Sequence, residues 1–289
     1  MTLSPSEFIL NGDGSIYHLN LLPDDLAQTV ITVGDPDRVP EVSKYFDTIA
    51  LKKGKREFLT HTGTLNGKTL SVVSTGIGTD NVDIVLNELD ALANIDFKDR
   101  TVKRNTRRLD IIRIGTSGAI HPDIPVDSFL MSEYAMGLDS LLQFYDSGHV
   151  QNTEIQKAFM DHSQWDTKKS APYVVRYNDG LGEKLASPVV QKGFTVTNVG
   201  FYGPQGRVLR LPLQDPDLNQ KLASFRFGQL KLTNLEMETA GIYGLSRLLG
   251  HRAVSMNCIL ANRSTGEFSK RPQESIDALI QYTLQKLTE

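Results

Sequence analysis

The feature of this sequence that most constrains its fold is an alternation between short β-branched runs and longer segments with helical periodicity. The short runs predict buried or half-buried strands, and the longer segments predict helices that cover them. Strands that alternate with helices are typical of an α/β protein with a largely central sheet. The predicted strands are 29–33, 70–74, 110–114, 128–132, 194–198 and 252–260, and the predicted helices are 80–92, 235–249 and 273–287.

Length and charge narrow the class of protein further. The 289 residues give room for one or two domains and for a large core without covalent staples. The net charge of −3 argues against nucleic acid or an anionic membrane as a partner. A lone cysteine, Cys258, excludes an internal disulfide and fits a reducing compartment. Without a signal-peptide pattern or an apolar run of roughly 20 residues, the sequence predicts a cytoplasmic protein.

One segment, 98–108, is strongly basic and carries six basic residues and one acid. We interpret it as a solvated surface insertion between a helix and the strand at 110–114, because charge runs are usually solvated. A nucleic-acid-binding arm is the alternative, but no aromatic residues support it.

Two glycine turns directly follow predicted strands, "VGDPDR" at 33–38 and "RIGTSGA" at 113–119. Ligands of open α/β sheets bind at the carboxyl ends of the strands, where backbone N–H groups and an arginine can hold an anion. Arg38 alone could be a surface helix residue. Arg113 lies in an apolar strand, where an unpaired guanidinium is costly, so a buried carboxylate partner is its alternative. Together the two turns and two arginines favour a shared oxyanion.

Two other glycine segments resemble nucleotide-binding loops but depart from their patterns. "GTLNGKT" at 63–69 is one residue too short for a P-loop, and Asn66-Gly67 predicts a type I′ hairpin turn instead. "GIGTDN" at 76–81 carries Asn81 where the dinucleotide fingerprint has its third glycine. Metal-ligand spacings of His and Cys are also missing, so the sequence predicts no metal or organic cofactor.

The loop "GFYGPQGR" at 200–207 combines a stacking surface with two planar hydrogen-bonding heads, Gln205 and Arg207. A plain turn needs the glycines and the proline but neither of these side chains, which suggests a flat heteroaromatic ligand. In "NLEMETAG" at 234–241, Glu236 and Glu238 share one face of an extended segment and could accept vicinal hydroxyls. Favourable carboxylates at a helix N-terminus are the alternative explanation.

These motifs occur in an order that resembles the nucleoside phosphorylases of the first structural class, and within it the uridine phosphorylase type. The resemblance covers nearly the whole chain, through "YHLNL", "VGDPDRV", "KREF", "STGIGTDNVDIVLNEL", "IIRIGTSGAI", "GFYGPQGR", "EMETAGIYGL" and "ILANR". It implies a single domain over 1–289, three α/β/α layers and a central mixed, partly barrel-like sheet. It also implies phosphorolysis of uridine, with inorganic phosphate as co-substrate and with deoxyuridine and thymidine as further candidates.

The resemblance assigns a role to each matching position, and Arg113, Thr116, Gln205, Arg207 and Glu238 form its catalytic set. It implies phosphate ligands at Gly34, Arg38, Arg113 and Thr116, with Arg56 from a neighbouring subunit. It implies ribose contacts by Thr116, Met237 and Glu238, with His18 from the partner, and base contacts by Phe201, Gln205, Arg207 and Arg263. Active sites shared in this way imply at least a dimer. Taken alone, His18 is better explained as a structural residue than as a functional one.

Two departures from the family pattern bear on function. Purine-cleaving members carry an acid where this strand ends in Asn262-Arg263, which favours a pyrimidine over a purine. Thr79-Asp80-Asn81 replaces the stretch whose serine binds an interfacial potassium ion in some bacterial members. This argues against such an ion, although Glu57 and Ile77 match. A purine phosphorylase or nucleosidase, and a non-catalytic nucleoside-binding protein, remain the alternatives.

Overall fold

A computed structural model of the chain describes residues 2–289, in which strands and helices alternate as the sequence predicts. The strands are β1 (Thr29–Val33), β2 (Thr48–Lys55), β3 (Phe58–Leu65), β4 (Lys68–Ser74), β5 (Ile95–Asp96), β6 (Thr101–Val102), β7 (Asp110–Ala119), β8 (Phe129–Gly137), β9 (Tyr173–Arg176), β10 (Val190–Thr197), β11 (Arg226–Phe227), β12 (Leu230–Glu236), β13 (Arg252–Asn262) and β14 (Glu267–Phe268). The helices are α1 (Arg38–Ser43), α2 (Thr79–Asn94), α3 (Thr153–Ser163), α4 (Asp179–Leu185), α5 (Leu218–Ser224), α6 (Thr239–Leu248) and α7 (Pro272–Thr288).

The central sheet is mixed and partly closed on itself. Its strand order is β11-β12-β10-β8-β13-β7-β1-β4-β3-β2, with β9 beside β8 and β14 beside β13. An additional antiparallel pairing joins β12 to β7. Since β12, β10, β8, β13 and β7 are already neighbours in the sheet, this pairing closes them into a ring. The mixed, partly barrel-like sheet is therefore confirmed.

The helices cover this sheet through their apolar faces. α6 packs on β8, β10 and β13, while α7 packs on β7 and β13, and α1 on β3 and β4. The buried face of α2 includes Val82, Val85, Leu86 and Leu89, at the three- and four-residue spacing of an amphipathic helix. The α/β/α layering is confirmed with the sheet. Within residues 2–289, no helix is both long and apolar enough to cross a membrane.

The hairpin predicted at Asn66-Gly67 is confirmed. These two residues connect β3 to β4, and the strands pair up to Leu65 and Lys68. Both turn residues have positive φ, 50° at Asn66 and 75° at Gly67. Positive φ at both central positions is the requirement of a type I′ turn, which asparagine and glycine meet at low cost.

The helix predicted over 235–249 begins later, at Thr239, so the prediction was wrong for its first turn. Leu235 and Glu236 instead end strand β12 and pair with β10. The helical pattern of the sequence continues through these residues, but pairing in the sheet outweighs it. Strands β2 and β3 have no counterpart among the predicted elements.

The basic segment 98–108 lies between α2 and β7, and most of its side chains are exposed. It contains the short strand β6, which pairs with β5. Arg100 is tied down: its guanidinium donates to the carbonyls of Leu3 and Ser4 and lies over the Phe8 ring. This arrangement anchors the segment beside the N-terminal residues of the described chain.

Candidate functional site

A cavity of about 790 Å³ opens where the carboxyl ends of β1, β4, β7, β12 and β13 meet the 200–207 loop. This is the edge at which α/β sheets bind ligands. The cavity is lined by residues of both predicted glycine turns, of the acidic segment and of the aromatic loop, namely Gly34, Asp35, Pro36, Arg38, Glu57, Gly76, Ile77, Asn81, Arg113, Thr116, Ser117, Gly118, Phe201, Gln205, Arg207, Leu235, Glu236, Met237, Glu238, Leu260, Ala261 and Phe268.

Arg113 is the central charged group of the cavity floor, and its side chain is buried. Its Nη2 lies 2.7 Å from Glu238 Oε2 and 3.0 Å from Glu236 Oε2. Its Nη1 donates to Asn257 Oδ1 at 2.9 Å. The carboxylate partner expected for a buried guanidinium is thus present twice, and Arg113 still lines the cavity. The sequence left open whether Arg113 forms a buried ion pair or faces a ligand site, and in the structure it does both.

Glycines make this charged floor sterically possible. A Cβ at position 115 would lie 2.0 Å from Arg113 Nη1, so only glycine lets the guanidinium fold back over its own strand. Gly78 has φ of 95° and its N–H donates to Glu238 Oε1 at 2.8 Å. A side chain would be strained at that φ. The "GIG" turn thus holds the carboxylate that the resemblance assigns to ribose.

Glu236 accepts hydrogen bonds from the residues around it, and the resemblance assigns it no contact with the substrates. Its Oε2 accepts from the backbone N–H groups of Glu238 and Thr239, both at 2.9 Å. Its Oε1 accepts from Thr197 Oγ1 at 2.5 Å. Burial raises the pKa of Glu238 above its ordinary value, and Arg113 offsets this only in part. The acidic pair is therefore one hydrogen-bonded unit with Arg113.

Arg38 contrasts with Arg113 because its charge is unbalanced. It is the first residue of α1 and lines the cavity beside Gly34. No residue from 2 to 289 forms an ion pair or a hydrogen bond with its side chain. Burial lowers its pKa, and the positive charge of Arg113 lowers it further. The unpaired charge of Arg38, beside Arg113 and the Gly34 turn, favours an anion at this end of the cavity.

The aromatic loop presents its polar heads to the other end of the cavity. Gln205 is 3% exposed, and Phe201 is 50% exposed. The Arg207 guanidinium lies 3.8 Å from the Phe201 ring centroid and donates to Gln205 Oε1 at 2.7 Å. Arg263 donates to the Gln205 carbonyl at 2.5 Å, so it contacts the loop backbone and not the Arg207 side chain. Burial lowers the pKa of Arg207.

Arg56 and His18, the two residues that the resemblance assigns to a partner's site, lie outside the cavity of their own chain, and so does Arg263. Arg56 is exposed in the turn between β2 and β3, with φ of 56°, while its neighbour Glu57 lines the cavity. His18 Nδ1 lies 2.7 Å from Glu88 Oε1 and its backbone N–H also contacts that carboxylate. Their supply to a partner's site remains a prediction.

The sequence did not indicate several residues that line the cavity. Leu260, Ala261 and Phe268 form an apolar wall at the end of β13 and in β14, and Ser117 lies near them. Position was the available signal for Leu260 and Ala261, which end and directly follow a predicted strand, whereas Phe268 had no such signal. Asn262 does not line the cavity; its Nδ2 donates to the carbonyls of His121 and Ile124, both at 2.8 Å.

Comparison with known proteins gives one consistent family. The sequence pattern of the phosphorylase superfamily matches residues 28–286. The uridine phosphorylase of Thermococcus kodakarensis is 31% identical over 267 residues, which cover 89% of this chain and 81% of that protein. The DeoD-type purine nucleoside phosphorylase of Buchnera aphidicola is 25% identical over 94% of this chain and 99% of its own.

Among solved structures, a Trypanosoma brucei nucleoside phosphorylase with uridine phosphorylase activity superposes with a TM-score of 0.87. It is 27% identical in sequence, and the match covers 97% of this chain and 99% of that one. The family match, the relatives and the strand-end cavity agree. The chain therefore belongs to the phosphorylase superfamily and is a pentosyltransferase of nucleoside phosphorolysis.

Proposed function

We propose that this enzyme catalyses the reversible phosphorolysis of uridine to uracil and ribose 1-phosphate. The observation that carries the proposal is the aromatic loop, which sets the Gln205 amide and the Arg207 guanidinium beside the Phe201 ring in the cavity. An amide and a guanidinium together offer donors and an acceptor to the carbonyl and N–H edge of a pyrimidine. Deoxyuridine and thymidine are further substrates to test.

Phosphate binds, in this proposal, between the two cations of the cavity and the glycine turn. Arg38 has no carboxylate partner in residues 2–289, and Arg113 is fixed by two carboxylates. Gly34 and Thr116 supply a backbone N–H group and a hydroxyl on the same side of the cavity. A dianion there satisfies the unpaired guanidinium and is oriented by donors that need no rearrangement.

Ribose lies, in the same proposal, over the acidic segment. The Glu238 carboxylate accepts from the sugar hydroxyls, and Met237 contacts the ring with its backbone and side chain. Both residues line the cavity next to Thr116. Because Glu238 is held by Gly78 N–H and Arg113, its orientation is set before the sugar arrives.

The reaction follows from the charges that this arrangement can stabilise. A phosphate oxygen attacks the anomeric carbon while the bond to the base nitrogen breaks, and the bonding electrons leave with the base. Positive charge that develops on the sugar is stabilised by the bound phosphate. Negative charge on the leaving uracil spreads to its carbonyl oxygens, where Arg207 and Gln205 donate hydrogen bonds. No acid is needed at the ring nitrogen, which agrees with Asn262 at the end of β13.

The assembly we propose is at least a dimer, because Arg56 and His18, which the resemblance assigns to a partner's site, lie outside the cavity of their own chain. Arg56 completes the phosphate site of the partner, and His18 reaches the 5′ end of its ribose. Such an enzyme would serve pyrimidine salvage in the cytoplasm, without metal or organic cofactor.

A purine nucleoside phosphorylase is the second candidate, because purine enzymes of the DeoD type align over 94% of this chain. A hydrolytic nucleosidase and a non-catalytic nucleoside-binding protein are the remaining alternatives. Both cavity arginines, the glycine turns and Glu238 stand against the last of these, since a storage protein has no need of a phosphate site.

The test is the absorbance change on uridine and, separately, inosine, each with and without inorganic phosphate. Loss of uridine that requires phosphate, with no turnover of inosine, supports the proposal. Turnover of inosine would assign the loop to a purine edge, and turnover without phosphate would indicate a nucleosidase. Bound uridine with no turnover at all would indicate a binding protein.

A further inference from the structure

Inside the closed ring of strands, polar side chains form one continuous hydrogen-bonded chain. Asn257 Nδ2 donates to Ser132 Oγ at 3.0 Å, and Ser132 Oγ lies 2.5 Å from Thr195 Oγ1. Thr195 donates to Asn234 Oδ1, and Asn234 Nδ2 donates to Ser117 Oγ, both at 2.9 Å. The first four residues are fully buried, and Ser117 lines the cavity. The chain thus connects the interior of the ring to the cavity wall.

The inner end of this chain is Arg113. Asn257 Oδ1 accepts from Arg113 Nη1 at 2.9 Å. Because its Nδ2 is committed to Ser132, the amide can present only its oxygen to the guanidinium. Arg113 Nη2 is held by the two glutamates. The amide of Asn257 holds the other terminal nitrogen, Nη1, and the two sets of contacts together fix the plane of the guanidinium.

The neutrality of the amide matters as much as its position. Arg113 already faces two carboxylates, Glu236 and Glu238. A third negative charge at position 257 would oppose the approach of a phosphate dianion in a site of low dielectric constant. An apolar residue would leave Nη1 with only the longer 3.3 Å contact to Ser255 Oγ. A neutral acceptor fixes the guanidinium without adding a third negative charge to the two carboxylates that it already faces.

We infer that Asn257 is a positioning residue for phosphate, acting through Arg113. This inference rests on the proposed phosphate site and adds a residue that never touches the substrate. It predicts that changes at position 257 weaken phosphate binding selectively. A merely structural role in the core would instead lower the stability of the protein and leave the phosphate affinity of the folded molecules unchanged.

The experiment compares Asn257→Asp and Asn257→Leu with the wild type. Calorimetric titration with inorganic phosphate gives the Kd without any nucleoside, and circular dichroism confirms that each variant is folded. We expect the phosphate Kd to rise about tenfold in both variants, the size expected when a hydrogen bond to a charged group is lost or opposed. The KM for uridine should change less than the phosphate Kd, because the Gly78 N–H still holds Glu238 when Arg113 shifts.

Asn262→Leu is the matched control for Asn257→Leu, because it removes a buried amide of β13 without adding the acid that purine-cleaving members carry there. Asn262 is equally buried and lies five positions further along β13, yet its amide bonds to the carbonyls of His121 and Ile124 and not to Arg113. Its phosphate Kd should stay within about twofold of the wild type, since distant sites act independently. Ser132→Ala removes the partner that orients Asn257 and should raise the phosphate Kd by about threefold, as for one lost neutral hydrogen bond.

The outcomes separate this inference from the proposed function. Folded position-257 variants with wild-type phosphate affinity would overturn the role of Asn257 alone. A wild-type protein that binds no phosphate would overturn both the phosphate site and this inference. An Asp variant that binds phosphate as well as the wild type while the Leu variant does not would remove the charge argument.

Discussion

The two ends of the cavity are built in different ways. At the proposed phosphate and ribose end, Arg113 lies within β7, Glu236 ends β12 and Glu238 directly precedes α6. All three side chains are buried, and Arg113 pairs with both glutamates. At the base end, Phe201 and Arg207 are on an irregular loop, and Phe201 is half exposed. The first end depends on the sheet for its geometry, whereas the second depends on bonds within the loop and on two donors outside it, Asn219 and Arg263, which bond to the Gln205 carbonyl.

This difference suggests that the two ends of the cavity have different roles in binding. The strand-end charges are oriented before any ligand arrives, which favours stabilisation of a transition state without rearrangement. Arg207 and Gln205 satisfy each other, so a base must replace the bond between them to be recognised. In the proposed function, specificity for the base thus resides in a segment whose sequence can vary without disturbing the core. Changes at the phosphate and ribose end should affect both folding and catalysis, and changes in the loop should affect catalysis alone.

Arg113→Met tests the buried end most severely. The change leaves Glu236 and Glu238 buried without a cation, and breaking a buried ion pair in this way costs about 3–5 kcal/mol. We expect the free energy of unfolding in urea to fall by that amount and activity to be lost. A variant with wild-type stability would contradict the interdependence of this cluster.

Gln205→Ala and Arg207→Ala test the loop end. Each should cost at least about 2 kcal/mol in transition-state binding of uridine, as for lost charged or bidentate contacts. The measurement is kcat/KM for uridine, with urea unfolding as the control for stability, which should change little for Arg207→Ala. Near-native uridine kinetics in either variant would remove its role at the base edge.

Arg38→Met sharpens the comparison inside the phosphate site. Because Arg38 has no ion-pair partner in the described chain, its loss should leave the free energy of unfolding within about 1 kcal/mol of the wild type. The KM for phosphate should rise about tenfold, corresponding to about 1.4 kcal/mol. An Arg38 variant as unstable as Arg113→Met would show that both arginines serve the fold.

The smallest expected effect is the pH dependence of Glu238. Burial raises its pKa above the ordinary value of 4.5, so the folded state holds the proton more tightly than the unfolded state. Its contribution to stability is therefore complete below pH 4.5 and is lost as the pH rises through the raised pKa. Urea unfolding across this range should show that, as the pH rises, the free energy of unfolding falls more steeply for the wild type than for Glu238→Gln. Parallel curves would contradict the raised pKa.

The sequence predicted several residues that line the strand-end half of the cavity, because short-range rules apply there. Glycine turns after β-branched runs identified Gly34 and Arg38, and a lone arginine in an apolar strand identified Arg113. The sequence left open whether Arg113 pairs with a carboxylate or lines the site, and the structure shows both. That ambiguity could not be resolved from sequence, since Glu238 is 125 residues away along the chain.

The remaining features depend on tertiary contacts that local patterns do not encode. The helix predicted from residue 235 begins at Thr239 because β12 pairs with β10 through Glu236. The sequence analysis assigns no role to Asn257, which lies in an apolar strand. An amide within "VSMNCIL" nevertheless indicates that a buried polar partner exists. The hydrophobic periodicity of the sequence likewise does not predict that β12 pairs with β7 and closes the ring. Only the resemblance implied a partly barrel-like sheet.

The most direct test of the proposed reaction is phosphorus NMR of the enzyme mixed with uridine and inorganic phosphate. We predict a ribose 1-phosphate signal that grows in step with the uracil released, and no such signal when inosine replaces uridine. An unchanged phosphate signal while uridine is consumed, or a sugar phosphate formed from inosine alone, would contradict the assignment of the site.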